Sequence, residues 1–236
     1  MSSAHQKIIV FDVTTQCNLD CAFCFGPESG EDEPTNQEAK EIIKQVAASG
    51  ADKIVFTGGE PLLRKDIFEL VEYASQQGLY TILHTNGLLF DEVVLERLRG
   101  RLDQINLPLD GADVRANDSQ RGAGHFKKVL SSLKLLKDEN ILVVISSVAT
   151  ARNQSFLPAV GRVLQNLAGQ DKARIDKWRV FQFRSEGKAV EAEKQLQISK
   201  ADFAGLIAKI TSQKYPFSVQ FITSNDEEFY SSYKLI

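Results

Sequence analysis

Methionine, tryptophan, cysteine and histidine are all scarce in this chain, which has one, one, three and three of them among 236 residues. An excess of one charge is missing too, because 28 basic and 31 acidic residues leave a formal net charge of −3. A chain so balanced carries no electrostatic footprint for a nucleic-acid backbone and no polybasic patch for a membrane surface. Long apolar runs are absent; stretches such as 141–145 fall far short of a bilayer span. A disulfide framework needs an even number of cysteines spread along the chain, whereas all three here lie between 17 and 24. Residues 1–7 are polar and lead into an apolar stretch without the pattern of a secretory signal. The expectation is a cytoplasmic protein whose thiols are kept reduced for a metal or for chemistry. The apolar share of 43% and charged share of 25% are those of a globular chain long enough to bury a real core.

What is present is a regular alternation. Apolar runs at 8–13, 53–57, 79–84, 102–109, 141–148, 177–183 and 217–222 read as strands. Between them, 35–50, 66–77, 91–98, 126–138, 155–168 and 200–213 read as helices. The first of these has Thr35 and Glu38 at capping-box spacing and closes at Gly50. The stretch 112–124 reads as a polar loop and 184–196 as a long charged surface loop. Strand–helix units with strands buried on both faces predict a parallel sheet wrapped in helices, either an open doubly wound sheet or a closed or partial barrel. No composition break divides the chain, so one domain is expected over 1–236. In either architecture ligands gather at the carboxyl ends of the strands. The residues hardest to explain structurally fall there: the cysteine loop, Gly58 to Glu60, Thr85 to Gly87, and Asp110.

Cys17, Cys21 and Cys24 place three thiols within eight residues. Packing accounts for single buried cysteines and poorly for three so close. Structural zinc wants four protein ligands, and none of His5, His84 and His125 stands at a paired spacing with the cysteines. A three-ligand catalytic zinc site is a second reading. An iron–sulfur cluster on three thiolates, which leaves one iron without a protein ligand, is the third.

The Cys-x3-Cys-x2-Cys spacing, with Phe23 before the third cysteine, resembles the motif of radical S-adenosylmethionine enzymes. The resemblance covers about 8–222 and implies a partial (β/α)6 barrel, a parallel sheet with outer helices, open on one side to substrate. It implies a [4Fe–4S] cluster on Cys17, Cys21 and Cys24. The open iron of that cluster chelates S-adenosyl-L-methionine, and one electron cleaves it to methionine and a 5′-deoxyadenosyl radical. It further implies cofactor-binding roles for Phe23, Gly58, Gly59, Glu60, Thr85, Asn86, Asp110, Arg121 and Val148. Of these, the Gly58-Gly59-Glu60 motif holds the methionine ammonium, with glycines that let the backbone approach the ligand. Thr85 and Asn86 contact the methionine or ribose, and Arg121 pairs with the methionine carboxylate. Leu109-Asp110-Gly111 matches the fourth-strand pattern with Pro108 in place of serine. The plain alternatives are a tight turn at Gly58-Gly59, a solvated turn at Asp110 and a surface charge at Arg121. An electron donor such as flavodoxin or ferredoxin is implied as a partner. No fourth cysteine is present for an auxiliary cluster.

A narrower resemblance is to viperin-like nucleotide dehydratases, carried by Cys17 to Phe25, Lys53 to Phe56, Trp178 to Gln182, Ser224-Asn225 and Ser232-Tyr233. Those enzymes convert nucleoside triphosphates to 3′-deoxy-3′,4′-didehydro products in antiviral defence. The resemblance implies Tyr233 as a catalytic hydrogen or proton donor and Lys177, Arg179 and Arg184 as phosphate-facing cations, with Arg152 and Lys188 as further cations. It also implies that 223–236 continues into a tail over the active site. Val144 and Ser146 stand where that group has a lysine and an asparagine, and Phe25 to Glu28 lacks its basic and polar side chains. A radical enzyme that modifies or matures another small molecule or a protein is the alternative, and a non-catalytic cluster-binding protein is a third reading.

Overall fold

The computed structural model describes residues 6–24, 26, 33–226 and 233–235. Seven strands stand on the apolar runs of the sequence: β1 (Ile8–Thr14), β2 (Lys53–Gly58), β3 (Tyr80–His84), β4 (Gln104–Pro108), β5 (Leu142–Ala149), β6 (Lys177–Gln182) and β7 (Ser218–Ile222). A short β8 (Tyr233–Leu235) is added beyond them. All pairings are parallel, in the order β7-β6-β5-β4-β3-β2-β1-β8, so the sheet is open and its described edges are β7 and β8. This is the α/β architecture of a partial barrel with helices outside.

The helices are α1 (Asn36–Ala48), α2 (Ile67–Gln76), α3 (Glu92–Leu98), α4 (Val114–Arg121), α5 (His125–Leu135), α6 (Leu157–Gly169), α7 (Glu193–Leu196) and α8 (Lys200–Thr211). Side-chain caps satisfy free amides at several of their starts. Thr35 and Glu38 form the capping box of α1, and Asp91, Asp113 and Ser199 cap α3, α4 and α8. Among the described residues, no helix is long and apolar enough to cross a membrane.

Alternation along the strands gives the sheet two different faces. Ile9, Phe11, Ile54, Phe56, Ile105, Ile145, Trp178 and Val180 face the helices and join the main core. Trp178 is sealed there: its indole N–H donates to Ser147 Oγ at 2.9 Å, and it meets Tyr215 edge-on. Gly161 of α6 makes this possible, since a Cβ there would lie 2.8 Å from the indole. On the inner face the polar residues Gln104, Asn106, Ser146, Lys177 and Arg179 alternate with that apolar set.

Two sequence expectations need correction. The polar loop at 112–124 contains α4, which sequence periodicity missed because Asn117 is its one buried residue and no apolar stripe marks it. The surface loop at 184–196 is a 3₁₀ turn (Gly187–Ala192) followed by α7, and its Ala189 and Leu196 are fully buried. This segment docks on the cysteine loop, where Ala189 N donates to Cys24 O at 3.1 Å.

Candidate functional site

A cavity of about 210 Å3 opens at the carboxyl ends of β1 to β5. Cys17, Cys21 and Cys24 line it together with Thr57, Gly58, Gly59, His84, Thr85, Asn86, Asn106, Arg121 and Ser146. The three thiols are free, with Cys17 exposed, Cys24 half-buried and Cys21 buried. Burial pushes the Cys17 and Cys21 thiols up from their usual value, so a ligand that takes them as thiolates must offset that cost.

The donor set discriminates between the metal readings. Among the described residues no group of three His, Cys, Asp or Glu could hold a metal ion, which is the convergence zinc requires. A polynuclear cluster needs no such point, because its thiolates ligate different irons. Each sulfur also has a neighbouring N–H: Asn86 Nδ2 is 4.0 Å from Cys17 Sγ, Arg121 Nη1 4.0 Å from Cys21 Sγ and Gly26 N 3.4 Å from Cys24 Sγ. Hydrogen bonds to sulfur are among the terms that set a cluster's potential, so three thiolates supplied in this way fit an iron–sulfur group. His84 and His125 engage asparagines instead of joining the cysteines. His5 lies outside the described residues.

The glycines at the end of β2 also meet a constraint within the chain. A Cβ at Gly58 would sit 2.2 Å from Thr14 O and one at Gly59 2.1 Å from Gln16 O. Gly58 also has φ +120°, which L side chains rarely adopt. The close approach is therefore to the chain's own cysteine loop, where Gly59 N and Glu60 N donate to Thr14 O and Gln16 O at 2.7 Å each. Glu60 is fully buried and is not part of the cavity lining. Its carboxylate accepts from Leu62 N at 3.0 Å, Thr85 Oγ1 at 2.7 Å and Asn86 N at 2.7 Å. Burial nevertheless outweighs these donors and raises its pKa. Glu60 thus fixes the loop that presents Thr85 and Asn86.

Asp110 is also sealed. It accepts from Arg121 Nε and from Val148 N at 2.6 Å each, and its own N–H donates to Asn117 Oδ1 at 3.0 Å. Neither Asp110 nor Val148 is part of the cavity lining. Burial works against the Arg121 charge, but the Asp110 carboxylate together with Cys21 and Cys24 outweighs it, so the guanidinium pKa is raised. The cation lies 4.6 Å from the Phe23 ring centre, over its face. Arg121 is thus neither a loose surface charge nor disposable packing.

The residues expected to meet substrate disperse. Lys177 and Arg179 share the inner face of β6, while Arg184 is ion-paired with Glu186 beyond that strand. Tyr233 pairs in backbone register with Ile8. That is the end of β1 away from the cysteine loop, about 20 Å of strand from Thr14 at the usual rise. Ser224 binds Gln182 of β6 at 3.2 Å, and Ser232 lies outside the described residues. The reading of the sequence missed His84, Asn106 and Asn117. The signal for the first two was polar residues on the inner alternation of strands that are otherwise apolar.

The profile of the Radical SAM superfamily matches residues 11–151. An "AdoMet-dependent heme synthase" of Methanosarcina barkeri is 33% identical over 152 residues, 62% of this chain and 44% of its own length. A "PqqA peptide cyclase" of Granulibacter bethesdensis is 32% identical over 155 residues, 64% of this chain and 41% of its own. The crystal structure of Streptococcus suis SuiB bound to precursor peptide SuiA superposes with a TM-score of 0.76 at 19% identity, covering 91% of this chain and 49% of that one. The chain spans about half the length of the curated relatives it matches.

Proposed function

This chain belongs to the radical SAM superfamily, and on that premise we propose that it modifies or matures a substrate held in the cavity beside the cysteine loop. Its cofactors are the superfamily's [4Fe–4S] cluster and S-adenosylmethionine. Once bound, this pair supplies an iron with an open site and an electron that cleaves S-adenosylmethionine to methionine and a 5′-deoxyadenosyl radical.

The observation that carries the reading is the three-thiol wall of one cavity with an N–H beside each sulfur. Cys17, Cys21 and Cys24 would hold the cluster. Arg121, clamped by Asp110 and resting on Phe23, would offer its remaining N–H groups to the cofactor carboxylate. Thr57, Gly58 and Gly59 would meet the methionine with backbone groups, and Thr85 and Asn86 with side chains fixed from behind by Glu60. The segment at 187–192 docks on the cysteine loop through Ala189 N and Cys24 O, and its Lys188 lines the cavity. A small redox protein such as a flavodoxin or ferredoxin is the proposed electron source.

The substrate-modifying reading is preferred to nucleotide dehydration. Similarity to a haem synthase and a peptide cyclase supports it, and burial of Trp178 in the core gives a packing reason for one of the segments that suggested the dehydratases. The test is anaerobic reconstitution with iron and sulfide, reduction, addition of S-adenosylmethionine and assay for 5′-deoxyadenosine. Formation of that product, lost in Cys17→Ala, Cys21→Ala and Cys24→Ala, is expected. Stoichiometric zinc without iron, or an iron-loaded protein that leaves S-adenosylmethionine intact, would overturn the proposal.

A further inference from the structure

One buried titratable group takes no part in the proposed cofactor contacts. His125, the first residue of α5, is fully buried and stands behind the cavity lining. Asp118 fixes the turn before it: its carboxylate accepts from Gly124 N at 2.7 Å and from Phe126 N at 2.8 Å. Gly124 takes φ +84° there, and the ring is turned inward onto Asn117 of α4.

The place of the ring proton follows from the partners of Asn117. Asp110 N donates to Asn117 Oδ1 at 3.0 Å, and Asn117 Nδ2 donates to Asp118 Oδ1 at 3.2 Å, which settles the two ends of the amide. Asn117 Nδ2 therefore also donates to His125 Nδ1, at 2.9 Å, and the neutral ring carries its proton on Nε2. Burial, and then the Arg121 charge, keep the ring neutral by lowering its pKa to about 4, against the opposing pull of Asp110 and Asp118. Nε2 is sealed and makes no full hydrogen bond among the described residues, and the acceptor it faces is the Asn86 carbonyl.

Each ring nitrogen thus leads to a donor beside a different sulfur. On the Nε2 side stands Asn86, whose N–H is held by Glu60 at 2.7 Å and whose Nδ2 lies 4.0 Å from Cys17 Sγ. On the Nδ1 side, Asn117 holds Asp110, and Asp110 clamps Arg121, whose Nη1 lies 4.0 Å from Cys21 Sγ. An apolar side chain in this place would leave one Asn117 proton without an acceptor and release Asn86 on its carbonyl side.

We infer that His125 is a positioning residue that sets two sulfur-facing donors at once, the Asn86 amide from Nε2 and, through Asn117 and Asp110, the Arg121 guanidinium from Nδ1. This rests on the reading of the cavity as a cluster and S-adenosylmethionine site, and it adds to that site a residue that touches neither. Donors beside the sulfurs stabilise the electron that a cluster gains on reduction, so loosening them lowers its potential.

The test compares the iron-loaded protein with His125→Phe, which keeps a ring without nitrogens, and His125→Gln, which keeps an N–H and an acceptor. Redox titration without S-adenosylmethionine should give a lower cluster potential in His125→Phe at unchanged iron content. Calorimetry on the oxidised protein should show S-adenosylmethionine bound about tenfold more weakly, as loss of a hydrogen bond allows. His125→Gln should recover part of both. An unmoved potential and affinity in His125→Phe, or equal losses in the two variants, would overturn the inference. Should His125→Phe lose iron or fail to fold, ring-nitrogen spectra of the unaltered protein decide, and they are simple because the chain has three histidines. The His125 proton is expected on Nε2 and slow to exchange; a proton on Nδ1 would overturn the inference. A cluster potential that falls in His125→Phe, in a protein that does not bind S-adenosylmethionine, would contradict the proposed function and leave the positioning role standing.

Discussion

The loops after β1 to β3 and the inner wall of β3 to β5 meet in one cavity, and they are built in opposite ways. On the loop side, the buried carboxylates of Glu60 and Asp110 face away from the cavity and are saturated by protein donors. They orient the groups that do face it, namely Thr85, Asn86 and Arg121. On the wall side, the neutral side chains of Gln104, Asn106 and His84 bond to one another in a chain, and the charges of Arg179 and Lys177 lie nearby. A network of buried charges saturated by protein donors fixes geometry in advance. That suits a cofactor that is always the same.

The largest effect that can break this contrast is on the loop side. Cys21→Ala should abolish iron retention and 5′-deoxyadenosine formation together, as read by iron analysis and chromatography; retained cleavage would dissolve the distinction. Next comes the buried ion pair. Asp110→Ala leaves Arg121, with its side chain 14% exposed, without its counter-charge, and should cost about 3–5 kcal/mol in denaturant unfolding. A cost below about 1 kcal/mol would make Arg121 the surface charge that its sequence context allows.

Much of the loop side was legible in the sequence because its determinants are local. The cysteine spacing, the glycine pair, Asp110 and Arg121 all stand on short motifs at strand ends. The reason for the glycines was not legible, because the carbonyls of Thr14 and Gln16 approach from some forty residues away in sequence. The helix at Val114–Arg121 was hidden for a different reason, since it buries an asparagine where apolar periodicity would be sought. On the wall side the strands themselves were legible from their apolar runs. The His84–Asn106 contact depends on parallel register, which no local pattern prints.

Two smaller effects sharpen the contrast. Burial, with Arg121 second, depresses the fully buried His125 from 6.5 to about 4. The unfolded chain binds that proton first as pH falls below about 6.5, so the stability contributed by the neutral ring is present above that pH and lost below it. The loss is about 1.4 kcal/mol per pH unit, reaching about 3 kcal/mol near pH 4. Urea midpoints from pH 7 to pH 4 should show this slope added to that of His84, whose pKa is also lowered, and His125→Gln should remove the His125 share; an unchanged slope would mean that His125 keeps its ordinary pKa in the fold. Glu60→Gln should be milder, at about 1–3 kcal/mol, because one acceptor becomes a donor facing donors. Its signature is a loosened Thr85–Asn86 loop in amide exchange, with iron retained. Loss of iron would make Glu60 part of the cluster's support instead.

The central claim is that three thiolates hold a cluster with one iron left open to S-adenosylmethionine. Electron paramagnetic resonance of the dithionite-reduced, iron-loaded protein tests it most directly, with and without S-adenosylmethionine. The account predicts a reduced-cluster signal whose g values move when S-adenosylmethionine is added. A signal that does not change at saturating S-adenosylmethionine would contradict it.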